Sequence, residues 1–513
     1  MRNDRRRFLA ACSVLALAGC APRPLEKLGE SRPPFTLGVA SGYPAPDGCV
    51  LWTRLAPEPL AAGGGLPAAP VDVRWEVAED ERFERIVRRG DTIADPAWAH
   101  SVHVEVTGLQ PSRVYWYRFL ALGHASPTGR SRTAPRPDDA NQRLRFAFAS
   151  CQNWEHGYYA AYRHMAGEDL DLVVHLGDYI YEYSNPLTAV RPLHAGEPVT
   201  LDGYRSFYAL YRSDRDLQAA HAAFPWLVIW DDHEVDNDYA NDQSQDLDPP
   251  AAFLARRAAA YQAYYEHMPL PSWARPRGAS MQLYTAVRFG SLAEFRLLDG
   301  RQYRDPQACP RPGRGGGRFL EGCEERLDPG RTMLGAAQQR WLLESLARHD
   351  TRWNLIAQQT LMAQADRKAG PARVFRTDGW DGYAAERQQI LETLRERRVS
   401  NPVVIGGDIH AFVVADLKTD VDAPGSPTVA SEFVTTSISS RSYPQARIDA
   451  ILPENPHLRL YKTPWRGYTT LELTPRQATA RLMALDNVED PGSSIRPLAT
   501  FVVEDGRPGA VAT

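Results

Sequence analysis

Four short polar clusters in this chain carry side chains able to hold a metal ion. They are Ser150-Cys151-Gln152, Gly177-Asp178-Tyr179-Ile180-Tyr181-Glu182, Asp231-Asp232-His233-Glu234 and Gly407-Asp408-Ile409-His410. Each follows a short apolar run of β type. An isolated aspartate after a strand is ordinarily a turn or cap residue, and an isolated histidine is ordinarily a satisfied core residue. Four clusters in the same structural position, rich in Asp, His, Cys and Tyr, are not explained by caps and point to one shared metal site. Neither a Gly-x-Ser-x-Gly elbow nor a Walker-type loop offers a competing centre.

The elements that must position these clusters fall into two textures. From residue 35 to about 136 the pattern is short period-two strands with turn residues between them, as at 50–52, 71–77 and 102–106. Gly108-Leu109-Gln110-Pro111 then leads into a Tyr-rich strand at 114–119, the signature of a tyrosine corner in a fibronectin type III-like sandwich. This stretch has no convergent acids, bases or ligands and reads as a positioning module. After a polar linker at 133–141, strands at 144–149, 170–176, 226–230, 295–298, 353–356 and 403–405 alternate with helical patterns. Leu334, Ala337, Trp341, Leu342 and Leu346 share one helix face. Buried, near-continuous strands with helices between them imply a layered α/β sheet, in which loops at the carboxyl ends of strands converge on one crevice. The expected organisation is a leader at 1–20, a linker at 21–34, an all-β sandwich at 35–136 and an α/β catalytic domain at 142–505.

With 513 residues, 43% hydrophobic and 24% charged, the chain has the composition of a globular protein of two domains plus a leader. The net charge is −4; four arginines and one aspartate put +3 in the first twenty residues, leaving about −7 for the rest. A basic nucleic-acid-binding face is therefore not expected. Arg5-Arg6-Arg7-Phe8-Leu9 fits a twin-arginine export signal, and the apolar run behind it is too short to span a bilayer. That run ends in Leu17-Ala18-Gly19-Cys20, which resembles a lipoprotein box with Cys20 acylated, so a periplasmic or envelope location with a lipid tether is expected. Export makes a disulfide between Cys309 and Cys323 reasonable, worth roughly 3 kcal/mol for a loop of this length. Cys49 reads as a small buried hydrophobe. The Gly-rich stretch 313–317 reads as a flexible loop between the two cysteines. Asp236-Asn237-Asp238 lacks the glycine of an EF-hand loop and reads as a surface turn.

The order Asp-rich start, Gly-Asp, x-x-His-Glu and Gly-x-x-His resembles the calcineurin-like metallophosphoesterase layout. The spellings Phe-Ala-Ser-Cys-Gln, Gly-Asp-Tyr-Ile-Tyr-Glu, Trp-Asp-Asp-His-Glu-Val-Asp-Asn-Asp and Gly-Asp-Ile-His are similar to those of the PhoD-type alkaline phosphatases. So are Leu298-Asp299-Gly300-Arg301-Gln302-Tyr303-Arg304 and Asp381-Gly382-Tyr383. The resemblance runs from about residue 37 to the C-terminal strands. It implies a metallophosphoesterase-like core, phosphate ester substrates, and Fe3+ with Ca2+ nearby. Thiolate Cys151 and phenolate Tyr181 suit a trivalent ion, and carboxylates suit calcium. The resemblance implies Asp178 as the bridge, Cys151, Tyr181 and His410 around iron, and Asp232 and Asp408 toward calcium. Asp232 is preferred to Asp231 on its adjacency to His233 alone. His233 is expected to hydrogen-bond the phosphate or protonate the leaving group, in a monomer hydrolysing phosphomonoesters and also phosphodiesters. The alternatives are phospholipase D-like action on lipid headgroups and a non-catalytic phosphate-binding lipoprotein.

Overall fold

The computed structural model of the chain describes residues 32–193, 196–348 and 350–513. The twin-arginine pattern and Cys20 lie outside the described residues.

The apolar runs form strands, and the expected layered α/β core is built from two large sheets. The first has ten strands. Its centre is the parallel set Leu144–Ala149, Leu172–His175 and Pro225–Val228, extended on one side by Gly467–Leu473, Gln477–Leu485, Ile495–Glu504 and Arg507–Ala512. The second has seven, with Ala293–Leu297, Trp353–Ala357, Pro402–Gly406 and Thr428–Val434 mutually parallel. The two sheets pack face to face, Phe146 of the first meeting Phe295 of the second edge-on at 4.9 Å.

Alternation along the strands explains this stacking. In the second sheet Leu355, Val403, Ile405 and Val414 join the core between the sheets, while their neighbours Ile356, Val404, Val413 and Ala415 face the other way. That outer face is covered by Leu342 and Leu346 of helix Gly335–Arg348 and by Ile390, Leu391 and Leu394 of helix Ala384–Glu396. Because both faces are buried, the strands read as continuous apolar runs.

The N-terminal β region is a sandwich with a shared wall. One layer is its own sheet of Ile86–Ala94, Val71–Ala78, Val114–Ala121, His124–Ala125 and Gly129–Arg132. The facing layer, Gly48–Arg54 and Ser101–Val106, is the edge of the ten-stranded sheet. It is reached through Val39–Ala45, which pairs in parallel with Pro225–Val228. Leu51, Val104 and Val106 pack there against Val73, Val77, Tyr117 and Phe119. The tyrosine corner forms, with the Gln110 amide donating to Tyr115 Oη at 2.9 Å.

Four smaller expectations are settled by packing. Cys309 and Cys323 are disulfide-bonded, and Cys49 is buried and free. Asp236-Asn237-Asp238 is not a surface turn, since Asp236 and Asp238 are both buried. Nor is the glycine stretch free throughout: Gly313 is exposed, but Gly315 and Gly316 are buried. The Gly317 amide donates to Asp238 Oδ2 at 3.0 Å, and a Cβ on Gly317 would fall 2.4 Å from Asp378 Cβ, so only glycine allows this approach.

Candidate metal centre

The four clusters do meet, and they come from both sheets. Cys151, Asp178 and Asp232 lie just past the ends of the three central strands of the first sheet. Asp408 and His410 lie just past Pro402–Gly406 of the second. The turns that redirect the chain here are tight. Cys151, Asp178, Asp408 and His410 have φ of 60°, 57°, 60° and 53°, the left-handed region that L-residues with a Cβ rarely occupy. Such strain persists only where surrounding contacts over-determine it, and it concentrates at functional sites.

Glu234 supplies much of that determination. Its carboxylate accepts the amides of Asp178 (3.0 Å) and Tyr179 (2.7 Å) from one cluster and of Asp231 (2.9 Å) from its own. Glu182 does the same for the third cluster, accepting His233 Nδ1–H at 2.7 Å and the Asn237 amide at 2.8 Å. The Ser440 hydroxyl lies 2.8 Å from both the Cys151 carbonyl and Tyr181 Oη.

Among the described residues, ligand atoms fall into two groups, each with all its atoms within 4.8 Å of one another: Cys151, Asp178 and His410, and Asp178, Asp232 and His233. Asp178 belongs to both. Tyr181 joins the first group, its hydroxyl 2.9 Å from Asp178 Oδ2 and 3.1 Å from His410 Nε2. His410 donates its Nδ1–H to the Arg441 carbonyl at 2.6 Å, which leaves Nε2 as the ring's lone-pair nitrogen. Asp408 stands outside both groups, with Oδ2 accepting the Thr360 hydroxyl at 2.6 Å. Asp231, passed over in favour of Asp232, ion-pairs with Arg301 through Oδ1 at 2.5 Å, while its Oδ2 is buried without a partner.

The electrostatics are those of a site short of positive charge. Burial, reinforced by Asp178, pushes the Cys151 thiol and the Tyr181 phenol well above their ordinary pKa ranges. Burial also raises Asp178 and Asp231 well above the carboxylate range and lowers His410 to about 3. For Asp232, burial is outweighed by Arg301 and His233, and the carboxyl is lowered. Burial would likewise depress His233, but Glu182, Asp232 and Asp178 overcome it and hold the imidazole well above its usual range. Asp178 Oδ1 and Asp231 Oδ2 are buried acceptors with no hydrogen-bond donor, which is costly unless a cation completes them. A thiol, a phenol, two imidazoles and several carboxylates around such orphaned oxygens fit a bound metal.

An ion-pair network underlies the centre. Asp378 is fully buried and receives Arg301 through both terminal nitrogens (2.9 and 3.1 Å), Arg304 at 2.9 Å and Gln307 at 2.9 Å. Arg301 in turn holds Asp231. Glu182, Glu234 and Arg301 were visible inside the motifs but carried no assigned role. Ser440, Thr360, Arg376 and Asp378 are single polar residues distant in sequence from the clusters, and nothing local marks them.

Comparison with known proteins agrees with this architecture. The family model described as "PhoD-like phosphatase" matches residues 146–482, and "PhoD-like phosphatase, N-terminal domain" matches residues 19–135. Over 523 aligned residues, 99% of this chain is 44% identical to "Alkaline phosphatase D" of Bacillus subtilis (strain 168), covering 88% of that protein. A solved structure titled "Structure of PhoD" superposes with a TM-score of 0.90 at 45% identity, covering 96% of this chain and 93% of that one.

Proposed function

Since the chain belongs to the PhoD-like phosphatase family and is a phosphoric ester hydrolase, we propose that it is an exported, metal-dependent phosphomonoesterase that also cleaves phosphodiesters. The observation that carries the metal dependence is Asp178, a buried carboxylate common to two ligand groups and left with an unpartnered Oδ1. Cys151, Tyr181, Asp178 and His410 would hold Fe3+, and Asp178 with Asp232 would hold Ca2+, with Asp408 beside them. The soft and phenolic donors favour the trivalent ion, and the carboxylates favour calcium. When bound, such ions polarise a phosphoryl oxygen and acidify an attacking water.

The remaining work falls to side chains of this protein. His233 stacks on Tyr181 with ring centroids 4.2 Å apart, and its Nδ1–H is committed to Glu182. That fixes the ring orientation and leaves Nε2 to carry a proton to the leaving-group oxygen. Glu234 holds the backbone of the Asp178 and Asp231 turns so that their carboxylates stay oriented. Phosphoryl transfer asks mainly for positioning and charge neutralisation, so no side-chain nucleophile is needed.

The twin-arginine pattern and Leu17-Ala18-Gly19-Cys20 support export to the periplasm or envelope with an acyl tether at Cys20. The test of the catalytic reading is turnover of p-nitrophenyl phosphate and of bis(p-nitrophenyl) phosphate by the metal-replete protein. Cleavage of both is expected. Cleavage of the diester alone would favour the phospholipase D-like alternative, and cleavage of neither would leave only phosphate binding.

A further inference from the structure

Most arginines near the centre are fully used. Arg301 and Arg304 are 1% and 2% exposed and pair closely with Asp231 and Asp378. Arg466 spends its terminal nitrogens on the carbonyls of His410 and Thr463 and the hydroxyls of Thr436 and Ser437. Arg376 differs. Its guanidinium sits 3.5 Å from Asp238 Oδ1, 3.6 Å from Asp378 Oδ2 and 3.6 Å from Asp408 Oδ2, and the side chain is 22% exposed. Each of those carboxylates has a shorter bond elsewhere: Asp238 to the Gly317 amide, Asp378 to Arg301 and Arg304, Asp408 to the Thr360 hydroxyl. Arg376 is thus a partly exposed cation at the rim of the metal centre, held by its three carboxylates at longer range than its neighbours.

Its backbone, by contrast, is anchored. Arg376 ends the strand Val374–Arg376, which pairs with Phe319–Glu321, Phe319 lying opposite Arg376. The disulfide Cys309–Cys323 brackets the segment that supplies the partner strand, and Arg326 lies over the Phe375 ring at 4.0 Å. A fixed stem with a weakly committed guanidinium suits a group that exchanges partners when an anion arrives.

We propose that Arg376 recognises the phosphoryl group and sets a preference for monoester dianions over diester monoanions. This rests on the hydrolase reading above. A monoester dianion presents three terminal oxygens and a diester two, so a guanidinium beside the metal centre has an additional charged oxygen to bind only in the monoester. The planar fork of arginine matches two phosphoryl oxygens at once, which lysine cannot reproduce.

The test compares wild type, Arg376→Ala and Arg376→Lys as full-length, metal-replete enzyme. Readouts are kcat/KM on p-nitrophenyl phosphate and on bis(p-nitrophenyl) phosphate, calorimetric binding of inorganic phosphate, and bound metal. In Arg376→Ala, the monoester kcat/KM is expected to fall roughly 100-fold and the diester value less than about tenfold, the scale of one lost charge-assisted contact. Phosphate binding should weaken at least about tenfold in parallel, and Arg376→Lys should lie between, all with native metal content. Equal losses on both esters, or unchanged phosphate binding, would overturn the proposal. So would metal loss in both variants, which would make Arg376 a structural counter-ion. Absence of wild-type turnover would instead refute the hydrolase reading itself.

Discussion

His233 and Glu182 form a buried pair, Nδ1 to Oε2 at 2.7 Å, in which the carboxylate fixes the ring and, with Asp232 and Asp178, raises its pKa against the effect of burial. Replacing His233 with alanine should cut turnover by about two or more orders of magnitude, the range of a positioned acid, with metal content near native. Glu182→Gln should lower turnover roughly tenfold while leaving His233 in place. Metal analysis alongside the kinetics decides the role. If the ions leave with activity in His233→Ala, the imidazole is a ligand.

Cys151 and Tyr181 should colour the protein. Burial holds both protonated in the absence of a cation, whereas a trivalent ion beside them deprotonates them outright. Charge transfer from thiolate and phenolate to Fe3+ then gives a visible band. Tyr181→Phe is expected to bleach or shift it, and Cys151→Ala to weaken iron retention. An iron-loaded, fully active and colourless wild type would exclude both as ligands.

Prolonged chelation should abolish activity, and calcium should restore more of it than zinc or magnesium. The carboxylates Asp178, Asp232 and Asp408 are hard oxygen donors suited to calcium. Full recovery with zinc alone would count against the assignment.

Away from the centre, Glu432 gives a pH prediction. Burial raises its carboxyl from 4.5 to about 7, although it accepts the Met362 and Ala363 amides at 2.6 and 2.8 Å. A raised folded-state pKa means the folded protein holds the proton more tightly than the unfolded chain. The associated stability is present below pH 4.5 and is lost as pH rises toward 7. The stability of wild type relative to Glu432→Gln should therefore decline across that window and flatten above it, as read by denaturant unfolding. A relative gain with rising pH would contradict the assignment.

Residue type and spacing marked out the four clusters as one shared site, because polar ligand types at strand ends are a local pattern, and the family resemblance then singled out Cys151, Asp178, Tyr181, Asp232, His233, Asp408 and His410 within them. The strands were legible for the same reason, as were the tyrosine corner at Tyr115 and the candidate pair Cys309 and Cys323. What the chain could not disclose locally was which faces meet. A run such as Pro402–Gly406 carries no polar side chain whether its two sides face helices or a second sheet, so the face-to-face pairing of Phe146 with Phe295 is a property of the folded whole. Arg301 and Asp378 stand 77 residues apart, and Ser440 reaches Tyr181 across 259. Such contacts leave no periodicity in either segment. Tertiary structure likewise decided that Asp238 and Gly317 are packed: their short polar and glycine spellings are those of exposed turns, and only the fold brings the Gly317 amide onto Asp238 Oδ2 with Asp378 against the glycine.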